Sequence, residues 1–209
     1  IGRPDYDSPL CAKQAAAQAL EEGRVHYTEN AGLPELRGVI AQDRNHRYGT
    51  DTDGSAIIVT TGATEALAVA FLTLLEPGDE VIVPAPFFPA YSLQATLAGG
   101  AARELPCRFE NGFRPDPAAL EAAVTPRTKM LLLNSPNNPT GTVLSRAELE
   151  AVADIARRHN LWVLSDECYE RFLYEGEPLT VSALPGMAER TVVVSAASKT
   201  FSMTGWRIG

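Results

Sequence analysis

Runs of apolar residues alternate along the chain with stretches whose apolar positions recur every three or four residues. The runs "AIIVT" (56–60), "EVIVP" (80–84), "KMLLLN" (129–134), "LWVLSD" (161–166) and "TVVVS" (191–195), with the shorter "ARELP" (102–106), read as strands. Their near-continuous apolar character is what burial on both faces requires, as in a mostly parallel sheet covered by helices. Helical stretches lie between them: "ATEALAVAFLTLL", a segment around "YSLQATLAG", and "SRAELEAVADIARRHN", with Ser145 as N-cap and Glu148 at the capping-box position. Two helices precede the first strand. "SPLCAKQAAAQALEEG" offers Ser8 as N-cap, Pro9 at the first helical position and Gly23 as a stop, and "PELRGVIAQDRNHRYG" follows it. The expected fold is α/β, a three-layer α/β/α arrangement around a mostly parallel mixed sheet. "PLTVSALPGMAE" is the only long irregular connection expected in the second half.

Composition narrows the classes of partner. The chain of 209 residues is 45% hydrophobic and carries a formal net charge of -8, with no block of Lys and Arg. Nucleic acid and an anionic membrane surface are therefore not expected partners. No apolar run reaches the roughly 18 residues of a membrane span. Cys11, Cys107 and Cys168 are odd in number and show no C-x-x-C spacing, which points to a reducing, cytoplasmic compartment without a disulfide framework. His26, His46 and His159 lack metal-ligand spacing, so no metal site is expected.

In an open α/β sheet, ligands bind beyond the carboxyl ends of the strands. The segments that follow the apolar runs are "TGATEA", "APFFPAY", "SPNNPTG", "DECYERF" and "AASKTFSMTGWR", and topology should gather them at one edge. "TGATEA" opens a helix directly after a strand, so its free N–H groups suit a phosphate, and Arg207 offers a two-pronged contact to the same group. Read blandly, that turn is ordinary structure and Arg207 a surface residue. Phe87, Phe88 and Tyr91 present flat faces for a ring, although aromatics so placed commonly belong to the core. "NNPTG" is a tight turn in which Pro139 can be cis. Asp166 closes a strand and would need a cationic partner if buried; Tyr169, three residues on, could share its direction through one helical turn. Lysines are usually solvated surface charges. Lys199, however, falls at the ligand edge among small residues, and a lysine amine that is desolvated or beside another cation becomes a nucleophile able to form a Schiff base with an aldehyde.

Taken in order, "GRPDYDSP", "YTENAGLPELR", "TGATEAL", "PFFPAY", "NSPNNPTG", "SDECYERF" and "SKTFSMTGWRIG" resemble the class I/II aminotransferases of fold type I, which use pyridoxal 5'-phosphate. The likeness covers nearly the whole chain. It implies that Lys199 forms the Schiff base, that Asp166 pairs with the pyridine nitrogen, and that Asn138 and Tyr169 hydrogen-bond the ring's phenolic oxygen while Phe88 stacks on its face. Gly62, Ala63 and Thr64 would cradle the phosphate together with Arg207 and Ser198. Tyr27 would reach the partner subunit's cofactor in a homodimer, and Gly2 and Asn138 would lie against the substrate. Residues 1–22 would be an N-terminal arm belonging in part to a small domain, and 23–209 a large cofactor-binding domain that continues beyond the sequence given.

The function so implied is ping-pong transfer of an amino group from an L-amino acid to a 2-oxo acid. The resemblance also implies that the segment alone is inactive, because family members carry a further C-terminal part. A carbon–sulfur β-lyase on the same fold, and the aminotransferase-like sensor domain of a transcriptional regulator, are the competing readings. Two positions depart from the family pattern. Ala196 stands where a hydroxyl residue or glycine is usual, leaving Ser195 or Ser198 to substitute, and Thr64 stands where some aspartate-preferring members carry a lysine.

Overall fold

The computed structural model describes residues 2–209. Five strands, β1 (Glu80–Ala85), β2 (Ala101–Pro106), β3 (Thr128–Asn134), β4 (Trp162–Asp166) and β5 (Thr191–Val194), form one sheet in the order β2-β1-β3-β4-β5. Every pairing among them is parallel. Seven α-helices accompany them: α1 (Leu10–Glu21), α2 (Pro34–Tyr48), α3 (Gly62–Leu74), α4 (Ala90–Leu97), α5 (Pro117–Ala123), α6 (Arg146–Arg158) and α7 (Ala197–Thr200).

The apolar runs are buried on both faces, as their composition requires. In β3, Leu131 and Leu133 point into a core with Leu149, Val152 and Ile155 of α6, whereas Met130 and Leu132 meet Leu67 and Phe71 of α3 and Ala95 of α4 on the opposite face. Strand alternation thus divides one apolar run between two cores, and the result is three layers. The chain runs outward from β1 to β2 and then returns to place β3 on the other side of β1. That reversal creates a crevice beyond the carboxyl ends of the strands.

Several local expectations hold and others do not. Ser145 and Glu148 form the reciprocal capping box of α6, and the Asn138–Pro139 peptide is cis. Ser8, by contrast, does not cap α1. Pro9 occupies the N-cap position without a side-chain bond, because the Ser8 hydroxyl is engaged elsewhere: it donates to the Ser202 carbonyl and accepts from the Trp206 indole. The run 56–60 is not a strand of the sheet. Its start lies in a 3-10 turn (Gly54–Ala56), and its backbone pairs only at Val59, with Ala31, and at Thr60, which exchanges two bonds with Gly209 in the antiparallel manner. The irregular connection 178–189 contains two short 3-10 turns and buries Val181, Leu184 and Met187 under α6. The short α5 has no counterpart in the periodic pattern, yet Asp116 caps it and Pro117 opens it.

Candidate active site

Four of the five polar segments extend from the carboxyl ends of β1, β3, β4 and β5, and the fifth opens α3. Register aligns them: Asn134 at the end of β3 lies opposite Asp166 at the end of β4, which lies opposite Val194. The Asn134 side chain exploits that register. Its amide donates to the Asp166 carbonyl at 3.0 Å, and its oxygen accepts from the Asn138 N–H at 2.7 Å. One side chain therefore fixes the main-chain positions of both Asn138 and Asp166. The Asn138 side chain itself has no hydrogen bond to any described residue and is left to face a ligand.

Asp166 is the sharpest electrostatic feature. It is 5% exposed. Its Oδ2 accepts from the Tyr91 hydroxyl at 2.7 Å and its Oδ1 from the Cys168 N–H at 3.0 Å. No cation lies within ion-pair distance of it among the described residues, although a carboxylate so buried is costly without one. Burial pushes the Tyr91 phenol far above its ordinary range, and the Asp166 charge and hydrogen bond add to the effect. The phenol therefore remains a donor. Tyr169 follows in a hydrogen-bonded turn rather than a helix, half-buried with its ring edge-on to Phe172, and burial raises its phenol as well.

Lys199 lies in α7, a single helical turn directly after β5. Its amine donates to the Gly2 carbonyl at 2.5 Å and is in no ion pair with any described carboxylate. Gly2 adopts a left-handed φ of 68°, which lets the arm bring its backbone to the lysine. The arm is pinned a few residues on, where the Ser202 hydroxyl donates to the Tyr6 carbonyl.

The other end of the site is built for an anion. The α3 amides of Ala63 and Thr64 find no acceptor among the described residues outside the helix's own ladder, whereas the Gly62 N–H is used by the Thr60 carbonyl at 2.8 Å. Gly62 has a φ of 77°, and a side chain there would collide with the Arg207 guanidinium. Arg207 lies across that first turn, donating to the Thr204 carbonyl at 3.0 Å, and at 3.5 Å to the buried Ser198 hydroxyl and the Thr61 carbonyl. Two free amides, the positive end of a helix and a guanidinium suit a phosphate. Of the two hydroxyls available near Ala196, Ser198 belongs to this corner; Ser195 instead bonds Glu170 at 3.2 Å. Gln94 of α4 braces the corner by donating to the Thr64 carbonyl at 2.9 Å.

Phe88 is 38% exposed, and its ring stands at 81° to that of Tyr91 with 5.7 Å between ring centres. Gly2, Asn138, Asp166, Tyr169, Ser198, Lys199, Phe88, Arg207 and the start of α3 thus all lie at the strand-end edge or against it. Tyr27 is fully exposed and makes no hydrogen bond with any described residue. Sequence reasoning missed Asn134, Gln94 and the bond from Tyr91 to Asp166. Tyr91 stood out only as a flat face, and nothing in "PFFPAY" shows that its hydroxyl reaches another strand. No cluster of potential metal ligands occurs among the described residues, and no helix among them is long and apolar enough to cross a membrane.

A buried carboxylate without a cation, a lysine paired with no described carboxylate and an anion corner near an exposed aromatic ring can together receive a group that carries a phosphate, a cationic nitrogen and an aldehyde. Aminotransferase class I and II is the family whose model matches residues 1–209, and the chain belongs to that family. Its cofactor is pyridoxal 5'-phosphate, and the residues present fit that group. The chain is 43% identical to aromatic-amino-acid aminotransferase 2 of Thermococcus litoralis and 44% identical to aspartate aminotransferase of Pyrococcus horikoshii, matching along 100% of its own length. It covers 54% and 53% of those proteins, so it spans about half the length of the curated relatives it matches. The crystal structure of Thermus thermophilus aspartate aminotransferase with maleate superposes with a TM-score of 0.97 at 44% identity, over 100% of this chain and 54% of that one.

Proposed function

We propose that the protein is a pyridoxal-phosphate-dependent aminotransferase that moves an amino group from an L-amino acid to a 2-oxo acid in two half-reactions of ping-pong type. The observation that carries this reading is the buried Asp166 carboxylate, which has two neutral donors and no cation among the described residues, while Lys199 at the same edge is paired with no described carboxylate. A protonated pyridine nitrogen is the cation that would complete it. When bound, the cofactor supplies an electron sink for negative charge developing at the substrate Cα.

The chain's own residues do the rest. Lys199 would hold the cofactor through its aldehyde, and its amine, when free, would move the substrate's Cα proton as general base. Asp166 would pair with the ring nitrogen and keep it protonated. Asn138 and Tyr169 would donate to the ring oxygen, Phe88 would cover the ring, and Ala63, Thr64, Ser198 and Arg207 would hold the phosphate with the turn at Gly62. The Gly2 backbone and Asn138 would border the substrate.

Tyr27, fully exposed, is assigned to the neighbouring site of a homodimer. Residues 1–22, whose helix buries no side chain, are assigned to an N-terminal arm, and 23–209 to the large domain. The three free cysteines fit a cytoplasmic compartment. The named relatives are an aromatic-amino-acid and an aspartate aminotransferase, which favours transamination over β-elimination or sensing. The donor is accordingly assigned only as an L-amino acid.

The test is to reconstitute the full-length protein with pyridoxal phosphate and add single amino acids, following the near-ultraviolet and visible absorption and the products. Transamination predicts a band change with one equivalent of 2-oxo acid released, reversed by adding a 2-oxo acid. Ammonia and pyruvate from a cysteine conjugate would show a lyase instead, and a band that no amino acid converts would point to a sensor.

A further inference from the structure

We propose that Tyr91 is a positioning residue for Asp166, whose hydroxyl sets how much of the carboxylate's charge is left for the ring nitrogen. The proposal rests on the role assigned above to Asp166 and goes beyond it to a residue that does not touch the cofactor.

Packing alone does not account for the hydroxyl. Tyr91 is 1% exposed, and its ring belongs to the apolar core formed with Phe71, Val83, Ala95 and Leu132. A phenylalanine would serve that core without a polar atom to satisfy. The hydroxyl has one partner, Asp166 Oδ2 at 2.7 Å. A buried hydroxyl is kept at a cost in desolvation unless its bond is made, and the bond to an anion is the stronger kind.

The geometry gives this single bond unusual leverage. Asp166 has two donors, one on each oxygen. The Cys168 N–H is main chain and fixed by the turn after β4, and the Cys168 thiol beside the carboxylate is a weak donor, so among the described residues the Tyr91 hydroxyl is the strong side-chain donor that orients the carboxylate and draws charge from it. A carboxylate oxygen has room for about two donors, so each keeps a site for a further partner. Tyr91 is itself held rigidly. Its N–H donates to the Phe88 carbonyl at 3.1 Å, its ring meets Phe88 edge-on, and it lies in the first turn of α4. Burial beside an anion keeps the phenol protonated, so its role as donor does not change across the working pH range.

The test uses full-length holoenzyme loaded with pyridoxal phosphate labelled with 15N in the ring, and reads the ring-nitrogen resonance at constant pH. Three proteins are compared with the unaltered one: Asp166→Asn, Tyr91→Phe, and the protein with 3-fluorotyrosine incorporated at position 91. The fluorinated side chain has nearly the same shape and is a stronger donor. Thermal melting of the cofactor-free proteins checks that packing is kept.

Asp166→Asn should move the resonance to that of an unprotonated pyridine. Tyr91→Phe leaves more charge on Asp166, which pulls the ring proton toward itself, and should move the resonance part of the way in the same direction. The fluorinated protein should move it the opposite way. Opposite displacements are not produced by a residue that only fills space. If Asp166→Asn shifts the resonance while both Tyr91 variants leave it in place, or displace it in one direction, the Tyr91 proposal is overturned and the role of Asp166 stands. If Asp166→Asn itself leaves the resonance unmoved, the role of Asp166 falls, and the proposal with it.

Discussion

Lys199 and Gly62 illustrate how single residues carry opposite kinds of demand. The lysine is needed for what it does, and its amine touches only the Gly2 carbonyl. Lys199→Ala should therefore lower turnover of the full-length enzyme by at least about a hundredfold, the scale of a lost general base, while the melting temperature of the cofactor-free protein stays nearly constant. Retained transamination in that variant would remove Lys199 from the mechanism. Gly62 is needed for what it lacks. Its φ of 77° and the Arg207 guanidinium packed over it leave no room for a methyl group. Gly62→Ala should weaken cofactor binding about tenfold or more, measured as a dissociation constant, because either the turn or Arg207 must move. An unchanged constant would mean that the phosphate does not sit at this turn. The glycine, threonine, lysine and arginine of this set were legible in the sequence because each follows an apolar run. Asn134 was not, because its role depends on the β3–β4 register, and a sequence does not display which strands are neighbours.

Helices and strands place these residues through a few strong local contacts. Helix α6 carries much of one core on its inner face and begins with the Ser145–Glu148 box. Burial disfavours the charged form of Glu148, but bonds from the Ser145 hydroxyl and N–H and from Arg114 outweigh it, so its carboxyl titrates below the ordinary value. A carboxyl lowered by folding contributes stability that is present above its unfolded value and lost as pH falls through the folded one. Ser145→Ala should cost about 1 kcal/mol at neutral pH, with the cost shrinking under acid, as read by chemical denaturation at several pH values. A cost that did not change with pH would show that the carboxylate is not part of the cap.

Helix α2 is joined to the turn after β4 by buried charge. Arg44 bonds Glu167 at 3.2 Å with both side chains buried, and Arg47 reaches Glu170 at 3.0 Å. Burial pushes the Glu167 carboxyl upward, with Arg44 opposing. Arg44→Met would strand that acid and should destabilise the protein by about 3 kcal/mol, whereas Arg171→Met, at the exposed pair with Asp43, should cost less than about 1 kcal/mol. Equal losses in the two variants would contradict the difference in burial. The network clamps the segment that holds Asp166 and Tyr169, and no spacing in "DECYERF" announces it, since its partners come from a helix more than a hundred residues earlier.

At the scale of the whole molecule, the alternation of apolar runs and helical periods was enough to forecast three layers, because a run buried on both faces has few other places to go. It failed at one run that lies outside the five-stranded sheet. Residues 56–60 have the composition of a strand, but beyond local turns their backbone pairs among the described residues with Ala31 and Gly209 and not with the sheet. Convergence of the strand-end segments on one edge was also legible, and it leads to the central claim that this edge binds pyridoxal phosphate through Lys199. The most direct measurement is borohydride reduction of the full-length protein reconstituted with pyridoxal phosphate, followed by digestion and mass spectrometry of the peptides. The account predicts a stable pyridoxyl adduct on the peptide containing Lys199, and none on those containing Lys13 or Lys129. An adduct at any other lysine in place of Lys199, or no adduct on a protein that binds the cofactor, would contradict it.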